Sequence, residues 1–117
     1  MTLRFREPRV KSEKHLNFVR GLCCLVCHDN TSTEAAHVRF SCEGKRQTGK
    51  SEKPDDKWTV PLCGRHHRDQ HAMNEKEFWL TVGIDPIKVC RALWSATGDH
   101  TEGERIALNA VIGEMVR

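Results

Sequence analysis

Two short cysteine and histidine runs carry the strongest chemical signal in this sequence. Cys24 and Cys27 form one C-x-x-C pair, and Cys63 and His66 form a C-x-x-H pair further along the chain. Either spacing lets both side chains of one tight turn converge on a tetrahedral ion, and zinc favours such sulfur and nitrogen ligands. Joined through one zinc, the pairs would staple an N-terminal turn to a distant segment. Cys23 is an alternative first ligand whose longer gap to Cys27 fits less well, and Cys42 and Cys90 are expected to stay unligated. Without metal, the four residues would be buried, unligated side chains that share this spacing by accident.

A second constellation follows the first. His67 and His71 are four residues apart on an expected helix, so they project from one face in successive turns and can grip one metal. His66 lies about 100° round that helix from His67 and can serve a different site. The run Cys63-Gly-Arg-His66-His67-Arg-Asp-Gln-His71 can therefore feed two metals. His37 falls upstream, on an expected strand. The competing reading makes these histidines ordinary polar residues on a solvated helix face and a strand.

The elements that must position these groups are legible in outline. Residues 1–11 form a basic arm broken by Pro8. Ser12 is placed to cap a helix through Arg20, with Leu16 and Val19 inward and Gly21 ending it. A strand is expected over 33–40, with Ala35, His37 and Arg39 on one face and Ala36, Val38 and Phe40 on the other. Residues 41–57 have loop composition, 58–62 a second strand with Pro61 interrupting its ladder, and 64–73 the histidine helix. Helices over 75–82, 86–95 and 102–116 complete an α+β chain, the last two a C-terminal helical extension (86–117) to a motif core spanning 12–85. With 117 residues, one domain is expected, and so small a core gains from a metal staple.

Composition narrows the class further. The net charge of +3 is compatible with a polyanionic partner but does not establish one. The first residues lack the apolar stretch of a secretory signal, and no run approaches the roughly 18 apolar residues of a membrane span. A cytoplasmic location follows as an expectation, and six cysteines in reducing surroundings suggest metal ligation over disulfides.

Taken together, the C-x-x-C pair, Ala35-Ala36-His37-Val38, and Val60-Pro61-Leu62-Cys63 running into His66-His67-Arg-Asp-Gln-His71 resemble the HNH (ββα-metal) nucleases. The resemblance is strongest to their small phage and prophage branch, which includes recombination-enhancement nucleases that act with RecA. It implies a zinc-stapled ββα-metal core and a metal-dependent endonuclease of low sequence specificity. His37 would deprotonate water for attack on a DNA phosphodiester, and His67 and His71 would hold one divalent ion (Mg²⁺, Mn²⁺ or Zn²⁺). Two positions depart from the family pattern. Ala36 stands where many members carry a metal ligand, and Trp58 stands where the middle Asn is expected. Asp56, with Asp55 beside it, is the candidate substitute, completing the metal shell or bracing the loop around His37; a solvated turn is the alternative. Arg39, Lys45, Arg46, Lys50 and Arg68 are the candidate phosphate contacts, with Arg20 and Arg65 as further candidates. DNA, single-stranded or in recombination intermediates, and a RecA-type recombinase are the partners implied. The competing reading is a non-catalytic, zinc-stabilised DNA-binding or recombination accessory module.

Overall fold

In the computed structural model, residues 10–39 and 54–111 are described. Helix α1 (Glu13–Arg20) is followed by strands β1 (Thr33–His37) and β2 (Thr59–Cys63), then helices α2 (Gly64–Ala72), α3 (Glu75–Val82), α4 (Pro86–Ser95) and α5 (His100–Leu108). The arrangement is α+β, and among the described residues no helix is long and apolar enough to cross a membrane. The expected basic arm and the loop carrying Lys45, Arg46 and Lys50 lie outside the described residues, apart from their ends.

Helix limits follow the capping chemistry. Ser12 Oγ accepts the backbone N–H of His15, Asn74 caps α3 through Glu77 N–H, and Asp85 caps α4 just ahead of Pro86. Gly83 ends α3 at φ 74°, the left-handed conformation that glycine adopts without steric cost. The last helix departs from expectation at both ends. Asp99 caps it two residues earlier than the sequence suggests, and it stops at Leu108, where Asn109 N–H turns to the Arg105 and Ile106 carbonyls. The chain then reaches Val111, which bridges Ile84.

β1 and β2 pair antiparallel, with Ala35 opposite Pro61 and His37 opposite Thr59. The second strand sits one residue later than expected, and all five of its residues are buried. Pro61 is tolerated because, among the described residues, the sheet has two strands and the missing N–H costs no second ladder. Its carbonyl instead accepts Leu25 N–H at 3.0 Å, tying the C-x-x-C turn to the sheet. Alternation along β1 puts Ala36 and Val38 in the core and leaves His37 only partly buried. Leu22, Leu25, Val60, Leu62, Phe78, Trp79, Cys90 and Leu93 share one apolar cluster, so the C-terminal helices pack on the sheet as scaffold.

α1 buries a different face from the one periodicity suggests. Val19 is fully buried, but Leu16 is only half-buried, and the second core position is His15 at 0% exposure. The Thr97 hydroxyl donates to the Trp94 carbonyl at 2.8 Å, so it must accept from His15 Nδ1–H, also at 2.8 Å. The ring packs edge-on to Trp94 at 4.8 Å, and its Nε2 is buried without a partner, which disfavours a second proton there and keeps the imidazole neutral. Burial drives its pKa down to about 4 against an opposing pull from Asp56.

Candidate functional site

The first centre forms where three elements meet. The Cys24–Cys27 turn is held by Cys24 N–H to the Asp29 carbonyl and His28 N–H to the Cys24 carbonyl, both at 2.9 Å. Val26 N–H points at Cys24 Sγ at 3.4 Å. This turn places His28 at φ 64°, a conformation that glycine would take more easily. Cys63 ends β2 and His66 lies in the first turn of α2, which carries both to the same point.

The ligand atoms of Cys24, Cys27, Cys63 and His66 all lie within 4.8 Å of one another, and the group could hold a metal ion. Cys27 Sγ is 3.9 Å from Cys63 Sγ. His66 Nδ1 is 3.6 Å from Cys24 Sγ and 3.2 Å from Cys63 Sγ. A tetrahedron with zinc-like bond lengths has edges of about 3.8 Å between sulfurs and about 3.5 Å from sulfur to nitrogen. These three edges are thus close to those such an ion requires. Burial pushes the Cys63 thiol up, but the His66 N–H, the Cys27 and Cys24 thiols and the Arg65 N–H outweigh it, leaving Cys63 below the ordinary thiol range. Cys23, the weaker candidate for this group, is pushed up to about 12 by burial and by its bond to Glu104, which keeps it a neutral core thiol. Cys90 is likewise a buried thiol, its S–H directed at the Thr59 carbonyl.

The second centre is a cleft of about 310 Å³ lined by Leu16, Arg20, Ala35, His37, Arg39, Asp56, His67 and His71. β1 delivers His37 to it, α2 delivers His67 and His71, and the segment entering β2 delivers Asp56. The two α2 rings lie 4.9 Å apart between centroids. Asp56 is 2% exposed, far from a solvated turn. Its Oδ1 lies 3.1 Å from His37 Nε2 and its Oδ2 accepts Ser12 N–H at 2.7 Å. Asp55 does separate work, accepting Val10 N–H at 3.0 Å. The carboxylate that could complete a metal shell or brace His37 is therefore engaged with His37. Among the described residues, the grouping of ligand atoms within 4.8 Å gathers the cysteine cluster but not Asp56 with His67 and His71.

A family model described as "Protein of unknown function (DUF968)" matches residues 2–98. The chain belongs to the DUF968 family. No curated protein and no solved structure matches it.

Within this DUF968 chain, the supports of the cleft come from residues that sequence patterns do not single out. Gln70, 4% exposed, donates to the His37 carbonyl at 3.2 Å and to Glu75 at 2.8 Å. The Glu75 carboxylate also accepts Arg39 N–H at 3.0 Å and Trp79 Nε1–H at 3.3 Å. Helices α2 and α3 thereby fix the backbone on both sides of Val38. Glu34 contacts His67 at 2.7 Å. Of the expected phosphate contacts, Arg39 lines the cleft and Arg68 is exposed on α2. Arg20 joins Arg39 at the cleft while bonded to Glu13 and Asn17.

Proposed function

We propose that this DUF968 chain is an HNH-type, metal-dependent endonuclease that hydrolyses DNA phosphodiester bonds with His37 as general base. The observation that carries the reading is the cleft itself: a histidine backed by a buried carboxylate faces two histidines of one helix, with arginines at its edge. The cysteine cluster beside it is assigned to structural zinc, since three sulfurs and one imidazole match that ion's preferences.

The chemistry follows from the side chains. A carboxylate has no proton to give, so Asp56 accepts from His37 Nε2–H and leaves the imidazole lone pair on Nδ1. His37 takes the proton of an attacking water at Nδ1, and Asp56 stabilises the imidazolium that results. Ser12 N–H holds the second carboxylate oxygen, so Asp56 cannot swing away as charge develops. Arg39 and Arg20 orient the phosphate. His67 and His71 are the candidate ligands of a divalent ion. Two imidazoles bound to one ion place their ring centres about 3.2 Å from it, hence about 4.5–5.2 Å from each other for angles near 90–109°, and the observed 4.9 Å falls in that window. Such an ion would neutralise charge on the phosphate and the departing 3′ oxygen.

The deciding experiment is cleavage of supercoiled plasmid and single-stranded DNA with Mg²⁺, Mn²⁺ or Zn²⁺, wild type beside His37→Ala. Metal-dependent cutting that falls about 10²–10⁴-fold in the variant supports the reading. Cutting by both proteins alike refutes His37 as the base. Buried Ala36 offers no ligand, which favours the second reading, a zinc-stabilised DNA-binding module without catalysis. DNA binding with no cutting under any metal, with or without a RecA-type filament, would select it.

A further inference from the structure

The contact between β1 and α2 fixes more than packing. Glu34 Oε1 lies 2.7 Å from His67 Nδ1. Because the carboxylate can only accept, the proton sits on Nδ1 and the lone pair of His67 is committed to Nε2. We infer that Glu34 is a positioning residue that sets the tautomer and ring orientation of His67 for a divalent cation bound in the cleft, an inference that rests on the metal-dependent reading above.

Three features support it. A histidine that ligates through one nitrogen gains basicity and a fixed orientation when the other donates to a carboxylate. The ring so oriented is the one that stands 4.9 Å from His71. The carboxylate also reaches the start of α2: Glu34 Oε2 stands 3.4 Å from the Cβ position of Gly64, an ordinary contact distance. At that helix terminus Cys63 makes no side-chain cap bond and the first turn has no acid. A negative charge there also complements the helix dipole.

Glu34 pairs across the ladder with Leu62, and its side chain is half exposed, so its replacement leaves the core intact. Mn²⁺ titrated into zinc-loaded protein, followed by electron paramagnetic resonance and calorimetry, reads the cleft directly and without turnover. Glu34→Ala is expected to weaken Mn²⁺ binding about 10–100-fold with zinc content and far-ultraviolet dichroism unchanged. Glu34→Gln keeps an acceptor oxygen and should stay within a few fold of wild type. If Glu34→Ala binds Mn²⁺ as tightly as wild type while His67→Ala does not, the inference about Glu34 is overturned and the cleft site stands. If wild type and His67→Ala bind Mn²⁺ equally or not at all, the cleft-metal reading fails and takes this inference with it.

Discussion

Burial of a neutral histidine at position 15 makes stability depend on pH in a way that can be isolated. His15 has a pKa of about 4 in the fold against 6.5 when exposed, because its Nε2 lies in the core without an acceptor. A lowered histidine means that the unfolded chain binds the extra proton first. Stability is therefore intact above about pH 6.5 and lost as pH falls from there towards about 4. Proton linkage between those two values costs about 2 kcal/mol at pH 5 and only a few tenths at pH 7. His15→Gln removes the titration while retaining a side chain able to reach Thr97. It should be less stable than wild type at pH 7, with a deficit that shrinks by about 2 kcal/mol at pH 5. Urea unfolding of both zinc-loaded proteins at the two pH values measures this. Acid effects on the other histidines and on the cysteine cluster are common to both chains and cancel in the difference. A deficit that is the same at both pH values would refute the argument that His15 is held neutral by burial.

Other expectations are as direct. Gly103→Ala places a methyl 2.7 Å from Phe18 Cζ and 2.9 Å from Leu22 Cδ2; despite the better helix propensity of alanine it should destabilise by about 1–3 kcal/mol in urea melts. His28→Gly relieves the φ 64° turn beside Cys27 and should raise stability by about 0.5–1 kcal/mol with zinc content unchanged. Cys27→Ser opens the tetrahedral cluster; bound zinc measured by mass spectrometry should be lost, and the melting temperature should drop by more than about 10 °C, given metal-binding energies on the order of 10 kcal/mol. Asp56→Asn cannot accept from both Ser12 N–H and His37 without turning an amide N–H₂ towards one of them. Plasmid cutting should fall at least about 100-fold, while DNA affinity measured by anisotropy stays unchanged.

What could be read from the sequence was local. Ser12 and Gly21 announce the ends of α1 because each acts within a few residues of its own position. The C-x-x-C and C-x-x-H pairs were visible for the same reason, since a zinc half-site is built inside one turn. What escaped depends on partners far apart in the chain. Asp56 looks like a turn residue until Ser12 and His37, 44 and 19 positions away, are seen to share it. Glu34 finds His67 across 33 positions, and His15 finds Thr97 across 82. No periodicity encodes such pairs. Polar residues on an amphipathic helix are assumed to face water, which is how His15 was passed over and Leu16 overvalued. Gly103 carries no signal in the sequence, yet it is buried, and a larger residue there would meet Phe18 and Leu22.

The His37–Asp56 contact, with Val38 N–H to the Trp58 carbonyl beside it at 2.8 Å, also acts as a clamp. The base and its carboxylate sit on the two arms joined by these bonds, β1 and the segment entering β2. The contact that orients the imidazole therefore also helps to hold the two arms together, and a substitution at either residue acts on the stability of the sheet as well as on the chemistry of the cleft.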